Sequence, residues 1–255
     1  MSAHTDVPLR PHALPRWLWA PLNLLQLAFT LAWTAGWISV ALLVRLLSGG
    51  PRVPLRMAAR IWAPGLLAGA GARLGVEGAE RIDWSKPYIV VANHQSVIDI
   101  CALFRAVPVP LRFMLKAELA KVPFLGWYTR AMGMVFVARG RRQSAAESLR
   151  HAGSRVRESS LCIFPEGTRS TDGRVGRFKL GAFQVALDTG VPVLPVAIVG
   201  SGAVLPPSGF RVRPGTIRVR FGAPIAAQAD APDARERLAQ AAHDAVAVLL
   251  REAAP

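Results

Sequence analysis

The sequence predicts an α/β fold, a mostly parallel sheet flanked by helices, preceded by an N-terminal membrane-seated helical hairpin. Past residue 75, short apolar runs of strand length alternate with stretches of helical period, the pattern of strand–helix–strand crossovers. Two clusters rich in polar and charged groups directly follow such runs, where loops of an α/β sheet converge on one crevice. Ahead of both, residues 17–44 hold no charged side chain. The division is therefore expected at residues 1–75 for membrane-associated helices and 76–255 for the α/β domain.

Composition narrows the classes. The 255 residues suffice for one sizeable core. There are 31 Lys and Arg against 16 Asp and Glu, a net charge of +15, while 52% of residues are hydrophobic. Disordered chains have such charge without the apolar residues, so disorder is excluded for the bulk of the chain. The cationic surplus calls for an anionic partner: nucleic acid, an anionic membrane or an acidic substrate. Cys101 and Cys162 stand far apart in apolar surroundings, with no CxxC or Cys/His cluster. They read as reduced core residues, and no metal site is expected.

As a helix, 17–44 would run about 42 Å against roughly 30 Å of bilayer hydrocarbon. It is too long for the apolar core of a signal peptide. Asn23, Gln26, Thr30 and Thr34 recur at spacings of three and four and form one polar stripe, suited to a partner helix or to headgroups. Trp17, Trp19, Trp33 and Trp37 suit interfacial anchoring. A second helical stretch, 55–74, is interrupted at Pro64-Gly65 and too short in its uncharged part to span. A hairpin follows, with a single transmembrane anchor as the competitor.

The α/β elements then read in order. Strands are expected at 88–92, 112–115, 134–137, 161–164, 193–199 and 217–221. Helices are expected at 96–105, 123–132, 144–157, 180–188 and 232–251, the last with Asp230 and Asp233 as cap candidates. The Pro/Gly-rich stretch 205–215 reads as a surface loop. Gly69-Ala70-Gly71 lacks a preceding strand and a full GxGxxG, so close helix packing accounts for it better than a dinucleotide loop.

The first strand runs into Asn93-His94-Gln95-Ser96-Val97-Ile98-Asp99. With Ser96 as N-cap, the first helical turn brings the Asp99 carboxylate back to accept Nδ1–H of His94, leaving Nε2 free as a base. The same residues are also capping-box-like, which would give Asp99 a purely structural role. The second cluster, Phe164-Pro165-Glu166-Gly167-Thr168-Arg169-Ser170, combines a flexible glycine, two hydroxyls and a guanidinium fork suited to phosphate. An ordinary exposed turn is its alternative reading. Lys116 ends one expected strand and Arg139 lies two residues beyond another, while Lys179 leads into a helix.

Together these blocks resemble the glycerolipid acyltransferase family. Residues 93–99 are similar to its NHxxxxD block, and 133–139 to its GxxFxxR strand. Residues 164–170 match FPEGTRS without departure, and 191–196 are similar to the apolar fourth block, all in the family's order. The intervening 116–119 and 122–127 resemble the family too. The resemblance implies transfer of a fatty acyl group from a thioester to the sn-2 hydroxyl of 1-acyl-glycerol-3-phosphate. In that scheme His94 is the base and Asp99 its orienting partner, and the alkoxide attacks the thioester without an acyl-enzyme. Glu166, Gly167, Thr168 and Arg169 bind the acceptor, with Lys116 and Arg139 as further phosphate contacts.

No cofactor or metal is implied. The co-substrate is acyl-CoA or acyl-ACP, and the partners are the lysophospholipid acceptor, the donor (possibly acyl carrier protein) and an anionic membrane. The location implied is a bacterial inner membrane with the catalytic domain on its cytoplasmic face. Arg141, Arg142, Arg155 and Arg157 are candidates for anionic lipid or plain solvated positions. The acceptor alternative is another lysolipid such as lyso-ornithine lipid. Nucleic-acid binding is disfavoured because no recognised motif is present and aromatics do not interleave with the basic clusters. A serine hydrolase is opposed by the missing GxSxG elbow. Cys101, close to Asp99, is the one residue placed to challenge direct transfer, and core packing is the preferred reading of it.

Overall fold

The computed structural model describes residues 15–137, 153, 156, 159–229 and 231–252. Arg139, Arg141, Arg142, Arg155, Arg157 and Asp230 lie outside these, as does the expected helix over 144–157 apart from two isolated positions.

The apolar run forms one helix, α1 (Trp19–Leu47), entered through a 3-10 turn at Arg16–Leu18. At 29 residues it is about 43 Å long. The chain turns back at 48–51 into α2 (Arg52–Met57), a π-helical segment (Ala58–Trp62) and α3 (Ala63–Gly69), which run on as one arm. Pro64 has no N–H for the carbonyl four residues back, so the arm widens there instead of breaking.

The polar stripe of α1 faces its partner. Gln26 Nε2 donates to the Gly69 carbonyl at 3.2 Å, and the Trp62 indole N–H donates to Thr34 Oγ1 at 3.3 Å. Trp33 Nε1 donates to the Trp62 carbonyl at 3.1 Å. Gly65 and Gly69 leave room for the rings of Trp33 and Phe29, where a methyl group would collide. Trp37 packs inside the protein, while Trp33 is half-buried with its indole N–H turned to the arm. Only Trp17 of the four stands well exposed.

Gly71, at φ +64°, stops the arm earlier than expected, and Ala72–Glu77 becomes strand β1. It crosses the expected division at 75/76, so the sheet begins at residue 72. The other strands are β2 (Ile89–Ala92), β3 (Leu111–Lys116), β4 (Val135–Val137), β5 (Ser160–Ile163), β6 (Val193–Val199) and β7 (Gly215–Phe221). Their order is β1-β7-β6-β2-β5-β3-β4. All neighbouring pairs are parallel except β6 with β7.

Helices α4 (Asp99–Ala106), α5 (Leu125–Ala131), α6 (Gly181–Thr189), α7 (Ser201–Val204) and α8 (Ala234–Glu252) complete the described elements. Because side chains alternate along a strand, β2 sends Val90 and Ala92 to one layer and Ile89 and Val91 to the other. The first layer holds Trp37, Leu55, Leu67 and Phe104, so the N-terminal helices share a core with the sheet. Phe183, Leu238 and Val246, from α6 and α8, fill the second.

Candidate active site

Strand β2 lies between β5 and β6, and the chain leaves it in one direction and returns from the other. This is the switch point at which loops beyond the strand ends part and open a crevice. The loop after β2 carries His94 and the loop after β5 carries 164–170. The two are joined by the Ser170 N–H, which donates to the His94 carbonyl at 2.7 Å.

Asn93 fixes the start of the first loop. Its amide donates to the Ile198 carbonyl at 2.9 Å and accepts the Ile198 N–H at 2.7 Å, carrying the ladder with β6 one step past the last residue of β2. His94 follows with its ring stacked on Phe164, centroids 4.0 Å apart and planes at 16°. Its Nδ1 lies 2.8 Å from Asp99 Oδ2. A carboxylate at that distance requires the proton on Nδ1, which leaves the Nε2 lone pair open. The His94 side chain is 16% exposed whereas Asp99 is fully buried, so the pair is reached only from the imidazole side.

Asp99 Oδ2 also accepts the backbone N–H groups of Gln95 and Ser96, both at 2.8 Å. Three donors on one carboxylate oxygen hold the loop and the ring in one geometry. Ser96 caps the first turn as expected: its Oγ accepts the Ile98 N–H at 3.3 Å and its carbonyl accepts the Asp99 N–H at 3.2 Å, with the regular helix starting after Ile98. Asp99 in return accepts the Ser96 N–H, so the capping-box and the orienting readings of this residue are one arrangement. Asp99 Oδ1 makes no hydrogen bond among the described residues.

Glu166 departs from expectation. It is buried, and its two oxygens accept the His94 N–H at 2.9 Å and the Gly176 N–H at 2.8 Å. Burial pushes its carboxyl above the ordinary value of 4.5, against the pull of those two hydrogen bonds. Glu166, expected in the acceptor-binding set, clamps the two loops together with both of its oxygens. Gly176 is the partner the sequence reading missed. Its only signal is a glycine in the basic stretch before Lys179.

The cations stand outward. Arg169, Lys116 and Lys179 are exposed, and none of their side chains has a hydrogen bond or ion pair among the described residues. Thr168 is exposed beside Arg169. Gly167 adopts φ +69°, and the Lys179 ammonium lies against the face where a side chain would start. Lys179, left open between phosphate and solvent by the sequence, thus sits directly on the second loop.

The loop that carries His94 also lines an apolar cavity of about 270 Å³ through Val97 and Ile98, together with Cys101 of α4 and Thr30, Leu66 and Phe210. A smaller one of about 130 Å³ shares Thr34, Trp62, Ile100 and Leu125 with it and reaches Phe113 and Tyr128. Cys101 is buried, and burial, helped by the nearby Asp99 charge, pushes its thiol up to about 12. A thiol held neutral in this way is no nucleophile.

An imidazole oriented by a buried carboxylate thus stands at the strand ends, on a loop that also lines an apolar cavity. A family model described as Acyltransferase matches residues 73–199. The chain is 34% identical over 188 residues to a 1-acyl-sn-glycerol-3-phosphate acyltransferase of Pseudomonas aeruginosa, covering 73% of this chain and 72% of the relative. It is 33% identical over 221 residues to a chloroplastic 1-acyl-sn-glycerol-3-phosphate acyltransferase of Brassica napus, covering 81% of this chain and 64% of the relative. It thus spans under two thirds of the length of that second relative. The crystal structure of the 1-acyl-sn-glycerophosphate acyltransferase PlsC from Thermotoga maritima superposes with a TM-score of 0.80 at 28% identity, over 92% of this chain and 96% of that one. The chain belongs to the acyltransferase family.

Proposed function

We propose that this chain transfers a fatty acyl group from a thioester of coenzyme A or acyl carrier protein to the sn-2 hydroxyl of 1-acyl-glycerol-3-phosphate, giving phosphatidic acid. The observation that carries the reading is the open His94 Nε2, oriented through Nδ1 by Asp99 on a loop that also lines the 270 Å³ apolar cavity. Nε2 takes the proton of the acceptor hydroxyl as the oxygen attacks the thioester carbonyl. The tetrahedral intermediate collapses, the C–S bond breaks, and the imidazolium returns its proton to the departing thiolate. Asp99 balances the transient charge on the ring from a fully buried position. In the loop 94–98 the Val97 N–H alone has no partner among the described residues, which makes it the donor for the oxyanion. Arg169, Lys116 and Lys179 are the cations for the acceptor phosphate, and the two cavities have the apolar lining an acyl chain needs.

The protein seats in the plane of the membrane. The outer face of α1 exposes Leu24, Leu25, Leu31, Leu43, Leu46 and Leu47 along its length. Its inner face is packed from end to end: Arg213 lies over Trp19, Asn23 reaches the Val212 carbonyl, and Arg45 reaches that of Ala131. A helix crossing the bilayer would drag the sheet into hydrocarbon with it, whereas one lying in the interface would not. The catalytic face then meets a bacterial inner membrane from its cytoplasmic side, where thioester donors are dissolved.

Purified protein is expected to esterify lysophosphatidic acid and to lose that turnover in His94→Ala. Transfer only to a lyso-aminolipid would replace the acceptor, and near-parent turnover in His94→Ala would remove the base.

A further inference from the structure

At the opposite end of the sheet from His94, where β2, β3 and β5 begin, lies a cleft of about 370 Å³. Arg52 and Arg56, one turn apart on α2, line it together with Lys86, Ser85, Ser160 and Trp84. Both arginines are exposed, and neither has an acidic partner among the described residues. Lys86 pairs with Asp83 at 3.1 Å, with both side chains more than half exposed. Three cations against that one carboxylate leave the cleft positive, and no acidic residue lines it among the described residues. Ser160 is buried, and its Oγ accepts the Tyr88 N–H at 3.1 Å, which leaves its own O–H to donate. The Trp84 indole N–H is already given to the Ala79 carbonyl at 2.8 Å, so its ring serves as wall. Guanidinium forks, an ammonium and a hydroxyl donor make a site for phosphate oxygens.

The surroundings decide which phosphate. A second cleft of about 390 Å³ shares Arg52, Pro110 and Ser159 with the first and runs to the α1–α2 turn. There Leu46 and Leu47 are 77% and 76% exposed and Val53 is 47% exposed. Along the arm, Arg52, Arg56 and Arg60 form one row, with Val53, Met57 and Ile61 as the next row over. Apolar side chains entering the acyl region would hold the adjacent arginines at the depth of headgroup phosphates.

We infer that this cleft binds the headgroup phosphate of an anionic bilayer lipid, at a site separate from the acceptor site by the length of the sheet. The inference rests on the in-plane seating proposed above. Its test is partition onto phosphatidylcholine vesicles with and without phosphatidylglycerol. Three proteins are compared: the parent, Arg52→Gln/Arg56→Gln, and a control that removes the same charge outside the cleft, Arg73→Gln/Arg218→Gln. The cleft variant is expected to bind phosphatidylglycerol vesicles about 30-fold more weakly, the effect of two basic residues at a membrane surface. It should match the parent on pure phosphatidylcholine, and the control should lose less than about threefold. Parent-like turnover of the cleft variant on detergent-dispersed lysolipid would show that it folds.

Equal losses in the two variants would mean diffuse attraction and overturn the site. Displacement of the parent, but not of the cleft variant, by sn-glycerol 3-phosphate would make a soluble phosphate the ligand and overturn the lipid assignment. A parent that binds neither vesicle would remove the seating and this inference together, leaving acyl transfer to be judged by turnover alone.

Discussion

Asp99→Asn tests the reaction scheme most sharply, because the change keeps the shape and removes the charge. In the parent, Oδ2 collects Nδ1–H of His94 and two backbone N–H groups, all at 2.8 Å, from a fully buried position. The asparagine oxygen can occupy that point, which sends its NH₂ to the place of Oδ1, where the described residues offer no partner. Burying an unpaired amide costs about 1–3 kcal/mol, and a chain of this size loses roughly 2–4 °C in Tm per kcal/mol. The larger effect falls on turnover, since the imidazolium formed at Nε2 loses its buried counter-charge. The same substitution in a Ser-His-Asp triad costs about 10⁴ in kcat, and general-base catalysis alone contributes about 10²–10⁴. The expected loss in kcat is therefore about 10²–10⁴, or ~3–5.5 kcal/mol of barrier. KM should move little, because Asp99 is sealed behind the ring. Thiol release from acyl-CoA, followed with lysophosphatidic acid as acceptor, reads kcat and KM, and thermal denaturation reads Tm. A kcat equal to the parent's in a folded protein would refute the orienting role and leave Asp99 only its capping task.

Asn93→Ala strips both hydrogen bonds from the Ile198 backbone and should cost roughly 2–4 kcal/mol, read as a lower denaturant midpoint; an unchanged midpoint would show that water replaces them. Gly126→Ala places a methyl group against the Ala120 carbonyl oxygen, closer than atoms approach, and about 1–3 kcal/mol of overpacking should appear as a fall in Tm; a parent-like Tm would mean that α5 shifts freely. For Glu166 the folded pKa lies above its ordinary value of 4.5, so the folded state binds the proton more tightly than the unfolded one. Its contribution to stability is fully present below 4.5 and is lost as pH rises through the folded value. Denaturation midpoints across that range should show this slope in the parent and not in Glu166→Gln. Phe164→Ala removes the stacking plane of His94, worth about 0.5–1.5 kcal/mol, and should lower kcat about tenfold with a smaller change in KM; a parent-like kcat would leave the imidazole held by Asp99 alone.

Much of this was legible in the chain. Strands such as β6 are continuous apolar runs rich in β-branched residues and bounded by proline and glycine, and those bounds set their ends to within a residue or two. The His94–Asp99 contact follows from the return of a first-turn side chain towards its own loop. What could not be read depended on partners distant in sequence. β1 carries too little apolar surface to announce itself and is a strand because Gly71 stops the arm and β7 lies alongside. Glu166 reads as a surface carboxylate beside an arginine, and only the approach of Gly176 from ten residues on turns it inward. Trp37 looks like an interfacial anchor until the N-terminal helices and the sheet close on it.

The pairing of β1 with β7 has a consequence for assembly in time. Arg220 on β7 donates to Glu77 on β1 across 143 residues of chain, and every rung between these strands spans a similar interval. A ribosome releases β1 long before its neighbour exists, so the sheet cannot close along that edge until β7 is made. The wait is shared by the first helix, whose Asn23 side chain finds Val212 and Arg213 only at that late stage. A nascent chain would meanwhile hold its most apolar helix without the polar grip that later fixes it. The bilayer is the natural shelter for that interval, so an early visit to the membrane would serve folding before it serves chemistry.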